Sequence, residues 1–392
     1  MSDFGAHRRA DWLLDPAVAY LNHGTVGAPP RRVIEHQRRI QDDIERHPAR
    51  ALIAELSSIL GDVPHGPRRL REAMGAIAPF LGAAPDDVVF VDNITAGVNA
   101  VLRSFPLDAG DEIVVTSMGY GGVTNASTYA ARRAGATLNT VELPAPGAPA
   151  HHYVERIDAA LTSRSRILVV DHLCAQSALV LPVAAIAEAA HRRGVLVLVD
   201  GAHVPGNIPL DIAALGVDWY TANLHKWAWT PRSCGVLWCA PDHQATLHPP
   251  VVSWGLDLGM TAEFDFPGTR DISPYLAAPF AIDLLHAEGL DDLYAYNHEL
   301  VWWAGQHLAE RWGTTLASPR EMTGSMVSVE LPAALGAGAA AQAVRGALDA
   351  QDIEVGVYER GDRLTVRVSA QIYCDRDDIE RLADAVRVLA GG

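Results

Sequence analysis

The sequence predicts an α/β fold: a mainly parallel sheet wrapped by helices on both faces, followed by a small α+β domain at the C-terminus. Three observations lead there. Short β-branched runs alternate with helical patterns from about Asp87 to Trp238. The runs are apolar at consecutive rather than alternate positions, the mark of strands buried on both faces. Beyond Met326 the pattern changes to a few strands with helices on one side.

The elements follow in order. DVVFV (Asp87–Val91), EIVVT (Glu112–Thr116), RILVVD (Arg166–Asp171) and VLVLVD (Val195–Asp200) read as buried strands. PVAAIAEAAHRR (Pro182–Arg193) reads as a helix, with proline in its first turn and basic residues in its last. Gly194 is its stop signal. DWYTAN (Asp218–Asn223) is a further strand-like piece. In the C-terminal part, MVSVEL (Met326–Leu331), IEVGVYE (Ile353–Glu359) and RLTVRVS (Arg363–Ser369) read as strands, and Asp375 opens a last helix. The alanine-rich Ala333–Ala343 stretch reads as surface helix or loop. Ligands in such sheets bind at the carboxyl ends of strands, so the residues just after each run carry most interest.

Composition narrows the function. With 31 basic and 47 acidic residues the formal charge is −16, which argues against nucleic acid and anionic membrane surfaces as partners. The N-terminal MSDFGAHRRADW lacks the apolar core of a signal peptide, and no apolar run approaches membrane-spanning length. Cys174, Cys234, Cys239 and Cys374 show no paired metal spacing, so no metal site is expected. A cytoplasmic protein with reduced thiols is the expectation.

Arginine supplies the positive charge everywhere except at Lys226, the one lysine of the chain, set in the otherwise uncharged TANLHKWAW. A chain that keeps one lysine needs an amine there, not merely a cation. Asp200 closes a buried strand in VLVLVDGAH, and His203 follows three residues later. A strand-end carboxylate and a nearby lysine suit pyridoxal phosphate chemistry. The ε-amine condenses with the cofactor aldehyde, and the carboxylate keeps the pyridine nitrogen protonated. Taken alone, Asp200 also fits a helix cap, and His203 fits a core histidine equally well.

VDGAHVPGNIPLD and DWYTANLHKW resemble the aminotransferase class V family of fold-type I pyridoxal 5'-phosphate enzymes, and within it the isopenicillin N epimerase-like group. The resemblance runs from YLNHGTVGAPP (Tyr20–Pro30) to VRVSAQIY (Val366–Tyr373). It implies a seven-stranded-type sheet in a large domain, residues 18–288, and a small domain built from residues 1–17 and 289–392. It also implies a phosphate cup in FVDNITAGVNAV, where Thr95 and the backbone amides of Ile94 and Thr95 open a helix; a plain N-cap threonine is the alternative. Tyr120 matches a residue stacked on the cofactor ring, and Asn223 and His225 match positions that reach the phosphate. Thr269, in GTRD, matches a residue that holds the partner's phosphate across a homodimer interface. Arg367 matches the arginine that pairs with the substrate α-carboxylate, a group suited to a bidentate guanidinium; an ordinary edge-strand arginine is the alternative. Asn22 and His23 are expected to close over the site.

Two positions depart from the family pattern. Where cysteine desulfurases place a carboxylate-contacting asparagine, this chain has Ala175 and then Gln176. Ser233 stands where relatives often have glycine. On this reading the freed Lys226 amine removes the Cα proton, Tyr120 returns one from the opposite face, and Asp200 tunes the ring. The stretch Val344–Arg363 contains no cysteine, so a persulfide-forming desulfurase is disfavoured. An epimerase or racemase of amino-acid substrates is the first expectation. A C–S or other β-eliminating lyase and an aminotransferase are the alternatives.

Overall fold

The computed structural model describes residues 4–60, 68–316, 318–336 and 340–391. Its centre is a seven-stranded sheet. The strands are β1 (Val88–Val91), β2 (Glu112–Thr116), β3 (Thr137–Val141), β4 (Ser165–Asp171), β5 (Leu196–Asp200), β6 (Trp219–Asn223) and β7 (Gly235–Cys239), in the spatial order β1-β7-β6-β5-β4-β2-β3. Only β7 runs against its neighbours. Successive residues of a strand face opposite sides, and here both sides are covered. Val114, Leu168, Val170, Val197 and Val199 enter one core, whereas Ile113, Val115, Ile167, Val169 and Leu198 enter the other. Each such fully buried side chain contributes about 1.5–3 kcal/mol of transfer free energy. That is why these runs read as continuous apolar stretches.

Two strands gave no distinct signal in the sequence. β3 is an edge strand whose Thr137 and Thr140 are exposed, so its composition is half polar. β7 returns antiparallel between β1 and β6 with only the single helical turn Leu224–Trp227 before it.

The C-terminal part forms its own sheet from β8 (Met326–Glu330), β9 (Gly356–Arg360) and β10 (Arg363–Ser369), in the order β9-β10-β8 and antiparallel throughout. The IEVGVYE run therefore splits: Ile353–Glu354 instead pairs in parallel with Ala19–Tyr20 near the N-terminus. Trp12, Ala19 and Leu21 share a core with Leu293, Val366 and Ile379, so the N-terminal segment is packed onto the C-terminal sheet. The Ala333–Ala343 stretch holds a short turn of helix at Ala333–Leu335 and the start of the helix Ala340–Asp349; residues 337–339 lie outside the described residues. Asp375 caps the last helix, Arg376–Leu389, with a full capping box. Among the described residues no helix is long and apolar enough to cross a membrane.

Candidate active site

β4, β5 and β6 end side by side in Asp171, Asp200 and Asn223. The helix Ile94–Ser104 begins nearby, after β1, and the turn after β2 delivers Tyr120. A cavity of about 570 Å³ lies against these ends, and the small sheet closes it with Arg367 and Tyr358.

Lys226 stands on a single helical turn, Leu224–Trp227, that follows β6 directly. Its Nζ lies 3.0 Å from His203 Nε2. Trp227 Nε1 donates to His203 Nδ1 at 3.5 Å, which assigns the proton of the neutral ring to Nε2, aimed at the lysine. Burial pulls the Lys226 ammonium down to about 8, outweighing the opposing pull of Asp200. His203 is itself held well below the usual imidazole range by burial and by the Lys226 charge. The site presents an amine that is easily neutral.

Asp200 is buried, and only one of its oxygens is satisfied. Oδ1 accepts the Ala202 N–H at 2.9 Å, whereas Oδ2 is enclosed with no partner. A buried, half-orphaned carboxylate is costly unless a donor comes to it. A protonated pyridine nitrogen is such a donor. Asp171 sits in register with Asp200 on the adjacent strand and lines the same cavity. It accepts the backbone N–H of Tyr120, and burial together with the Asp200 charge pushes its carboxyl well above the usual range. Burial raises the Asp200 carboxyl too, but less, so Asp171 is the member of the pair that takes up a proton more readily.

The start of the Ile94–Ser104 helix differs in detail from the expectation. Its N-cap is Asn93, whose side chain accepts from Ala96 N at 3.1 Å, and not a threonine. The Ile94 amide is committed to Asn223 Oδ1 at 3.0 Å. Thr95, one residue further on, is exposed and lines the cavity. The anion-attracting donors left at this terminus are those of Thr95, which corrects the expected role of the Ile94 amide, and Asn223 serves as its strut. His225 donates from Nδ1 to the Cys234 carbonyl at 2.8 Å, leaving Nε2 uncommitted; burial draws its pKa down to about 4. An anion held there would favour the protonated ring.

Arg367 is buried without a carboxylate partner. It donates to the Ala175 carbonyl, to Asn22 Oδ1 at 3.2 Å and to Thr25 Oγ1 at 2.7 Å, stacks over Tyr358, and its Nε is left unpaired. Burial lowers its pKa. An unpaired buried guanidinium is expensive, so the site is built for an incoming anion. Gln176 is exposed at the edge of the same cavity.

Two expected site residues, His23 and Asn22, lie elsewhere, and Thr269, expected to serve a partner's site, lies outside this chain's cavity. His23 does not reach the cavity. Its Nδ1 bonds Tyr373 Oη at 2.6 Å and its Nε2 bonds the Lys226 carbonyl at 2.9 Å, so a fully buried ring with both nitrogens committed braces the lysine backbone instead. Asn22 stands behind Arg367 and orients it; the cavity wall there is Gly24 and Thr25. Thr269 faces a separate groove beside Gln41 and Arg69. Gly27 lets this N-terminal loop approach so closely: at φ +63° a Cβ would overlap the His225 carbonyl. Asp171 and Tyr358 escaped the sequence reading. Asp171 was visible as the acidic end of RILVVD, the same position that Asp200 occupies in its own strand.

Comparisons with known proteins identify the family and the fold. A family model described as aminotransferase class-V matches residues 67–382. An isopenicillin N epimerase of Streptomyces clavuligerus is 33% identical, with 97% of this chain and 99% of that protein covered. A probable chloroplastic L-cysteine desulfhydrase of Arabidopsis thaliana is 32% identical, with 96% and 83% covered. Among solved structures, the cystine C–S lyase C-DES in complex with cysteine persulfide superposes with TM-score 0.79 at 22% identity, covering 94% of this chain and 97% of that one. A cysteine desulfurase from Thermococcus onnurineus NA1 superposes with TM-score 0.80 at 20% identity over the whole of both chains. The chain thus belongs to the aminotransferase class V family of pyridoxal 5'-phosphate-dependent, fold-type I enzymes.

Proposed function

We propose that this enzyme works at Cα of an amino-acid substrate as an isopenicillin N epimerase-like epimerase or racemase. One observation carries the reading: a single cavity holds a readily neutral amine, a phenol and an unpaired guanidinium, and no thiol. All four cysteines are buried outside it, so a persulfide-carrying desulfurase has no sulfur in reach.

The residues present fit the cofactor. Asp200 Oδ2 would take the ring nitrogen, Thr95 and His225 the phosphate, and Lys226 the aldehyde. When bound, the cofactor supplies an electron sink that weakens the bonds at substrate Cα. Arg367 anchors the α-carboxylate and so orients Cα. The Lys226 amine accepts the Cα proton, and His203 Nε2–H steadies that amine in its neutral form. Tyr120, 48% exposed at the mouth, offers a phenol from a turn that Asp171 pins by its backbone.

Incubation with candidate L-amino acids in D2O tests the reading. Deuterium entering at Cα with loss of optical purity is expected, and the absence of exchange from every candidate overturns it. The similarity to L-cysteine desulfhydrases favours β-elimination as the second reading; it predicts pyruvate and ammonia instead. Replacing Arg367 by alanine is expected to raise KM about a hundredfold, ~3 kcal/mol of lost charge pairing, with a smaller change in kcat. An unchanged KM removes Arg367 from the carboxylate role.

We also propose a homodimer with shared sites. Val251, Val252, Trp254, Leu256 and Leu258 form an exposed apolar run, Trp254 at 66%, a concentration that marks an interaction surface. Thr269 lies outside its own chain's cavity, which suits service to a partner's. Sedimentation at graded concentration checks the assembly.

A further inference from the structure

Two histidines follow one another at a single place in the chain, His151–His152, and Glu155 comes one helical turn later. All three belong to the helix Ala150–Ala160, and all three are exposed. Glu155 stands four residues after His151 and three after His152, the two spacings that bring side chains together on a helix. The other face of the helix is held fast. Tyr153 and Ile157 enter the same core as Val114 and Leu168. The Tyr153 hydroxyl donates to the Ala145 carbonyl at 3.0 Å, and Arg156 Nε donates to the Glu142 carbonyl at 2.9 Å. The backbone that carries the three side chains is therefore anchored on both sides of its first turn.

The three side chains surround a gap. The imidazole centroids are 4.4 Å apart with their planes at 69°. One nitrogen of each ring and a Glu155 carboxylate oxygen all lie within 4.8 Å of one another. None of the three meets a hydrogen-bond or ion-pair partner among the described residues. Other histidines of this chain bond the acid they meet: His191 and His243 hold Asp218 at 2.8 and 3.0 Å, and His248 holds Glu263 at 2.8 Å. Two imidazoles and a carboxylate are the protein ligands of an open zinc site, where water completes the tetrahedron. Ligand atoms on one such ion stand about 3.3 Å apart, so small rotations of exposed side chains close the set. We propose that His151, His152 and Glu155 form a binding site for a divalent transition cation, zinc by its ligand chemistry. Magnesium and calcium prefer oxygen ligands and are poorly served by two imidazoles. The site shares no residue with the cofactor cavity, so it is independent of the reaction proposed above. The lack of paired spacing among the cysteines does not bear on it, because no thiol is a ligand.

The test titrates the cofactor-loaded full chain with zinc chloride by calorimetry, and with magnesium chloride as the control. Zinc is expected to bind and magnesium to give no heat at the same concentrations. His152→Ala and Glu155→Gln are each expected to weaken zinc binding at least about tenfold. Their cofactor absorbance bands and melting temperatures should match those of the unaltered chain, since both residues are exposed. A second measurement needs no substitution. Zinc, but not magnesium, should slow diethyl pyrocarbonate modification of His151 and His152 at least about fivefold, read by peptide mapping, because a metal-bound imidazole nitrogen is no longer nucleophilic. Zinc binding no tighter than about 1 mM, a folded variant of either residue that binds zinc as the unaltered chain does, or modification of both histidines unslowed by zinc overturns the site.

Discussion

Replacing Lys226 by alanine is expected to lower turnover by at least about 10⁴-fold while leaving cofactor binding measurable. Three of the proposed holding points for the cofactor, at Asp200, Thr95 and His225, are untouched by the change, so affinity is expected to fall without vanishing. What disappears is the covalent attachment and the base. Borohydride reduction followed by peptide mapping separates the two effects. The native chain should yield a modified peptide containing Lys226, and the variant none. Because Lys226 is the only lysine, no second ε-amine can confuse the result. The same residue sets a pH dependence. Its pKa is lowered to about 8 by burial, and the protonated amine cannot attack an aldehyde. Covalent capture of cofactor by apoprotein should therefore accelerate as pH rises and level off above about 8, with an inflection well below that of a free lysine. Capture that is flat between pH 7 and 10 would refute the assignment.

The parts of this site that the sequence made legible share a property: their chemistry is local. Lys226 stands out as a solitary amine in an uncharged run, and Asp200 as an acid closing an apolar strand. Both inferences need only neighbours along the chain. His203 follows Asp200 within one turn and was legible as its companion. The parts that failed depend on which strands lie side by side. Asp171 closes its strand as Asp200 does, but its meaning arises only because β4 and β5 are adjacent and in register, a tertiary fact. His23 looked like a polar loop residue poised over the site. The loop instead folds under, and packing between Tyr373 and the Lys226 carbonyl buries the ring. Ile94 was misjudged for a similar reason, since its amide is claimed by Asn223 from a strand more than a hundred residues later. The sheet itself was readable wherever a strand is covered on both faces and lost its signal at the edge strand β3.

The two strand-end carboxylates make opposite predictions under the same substitution. Asp200→Asn keeps the shape and the Ala202 contact but removes the charge that would hold a protonated ring nitrogen. The expected cost is about 10³-fold in kcat, the scale of removing one preorganised electrostatic contact in a closed site. Cofactor affinity should fall roughly 10- to 100-fold, as one charge-assisted hydrogen bond of ~1.5–3 kcal/mol is lost. Asp171→Asn should cost far less, within about tenfold in kcat. Asp171 is the member of the pair whose charged form burial and the Asp200 charge disfavour more, and an amide oxygen can still accept the Tyr120 N–H. Steady-state kinetics and an equilibrium cofactor titration on both variants decide the matter. If the Asp171 variant is the more damaged, the ring nitrogen is anchored by the other strand, and the roles assigned to the pair must be exchanged.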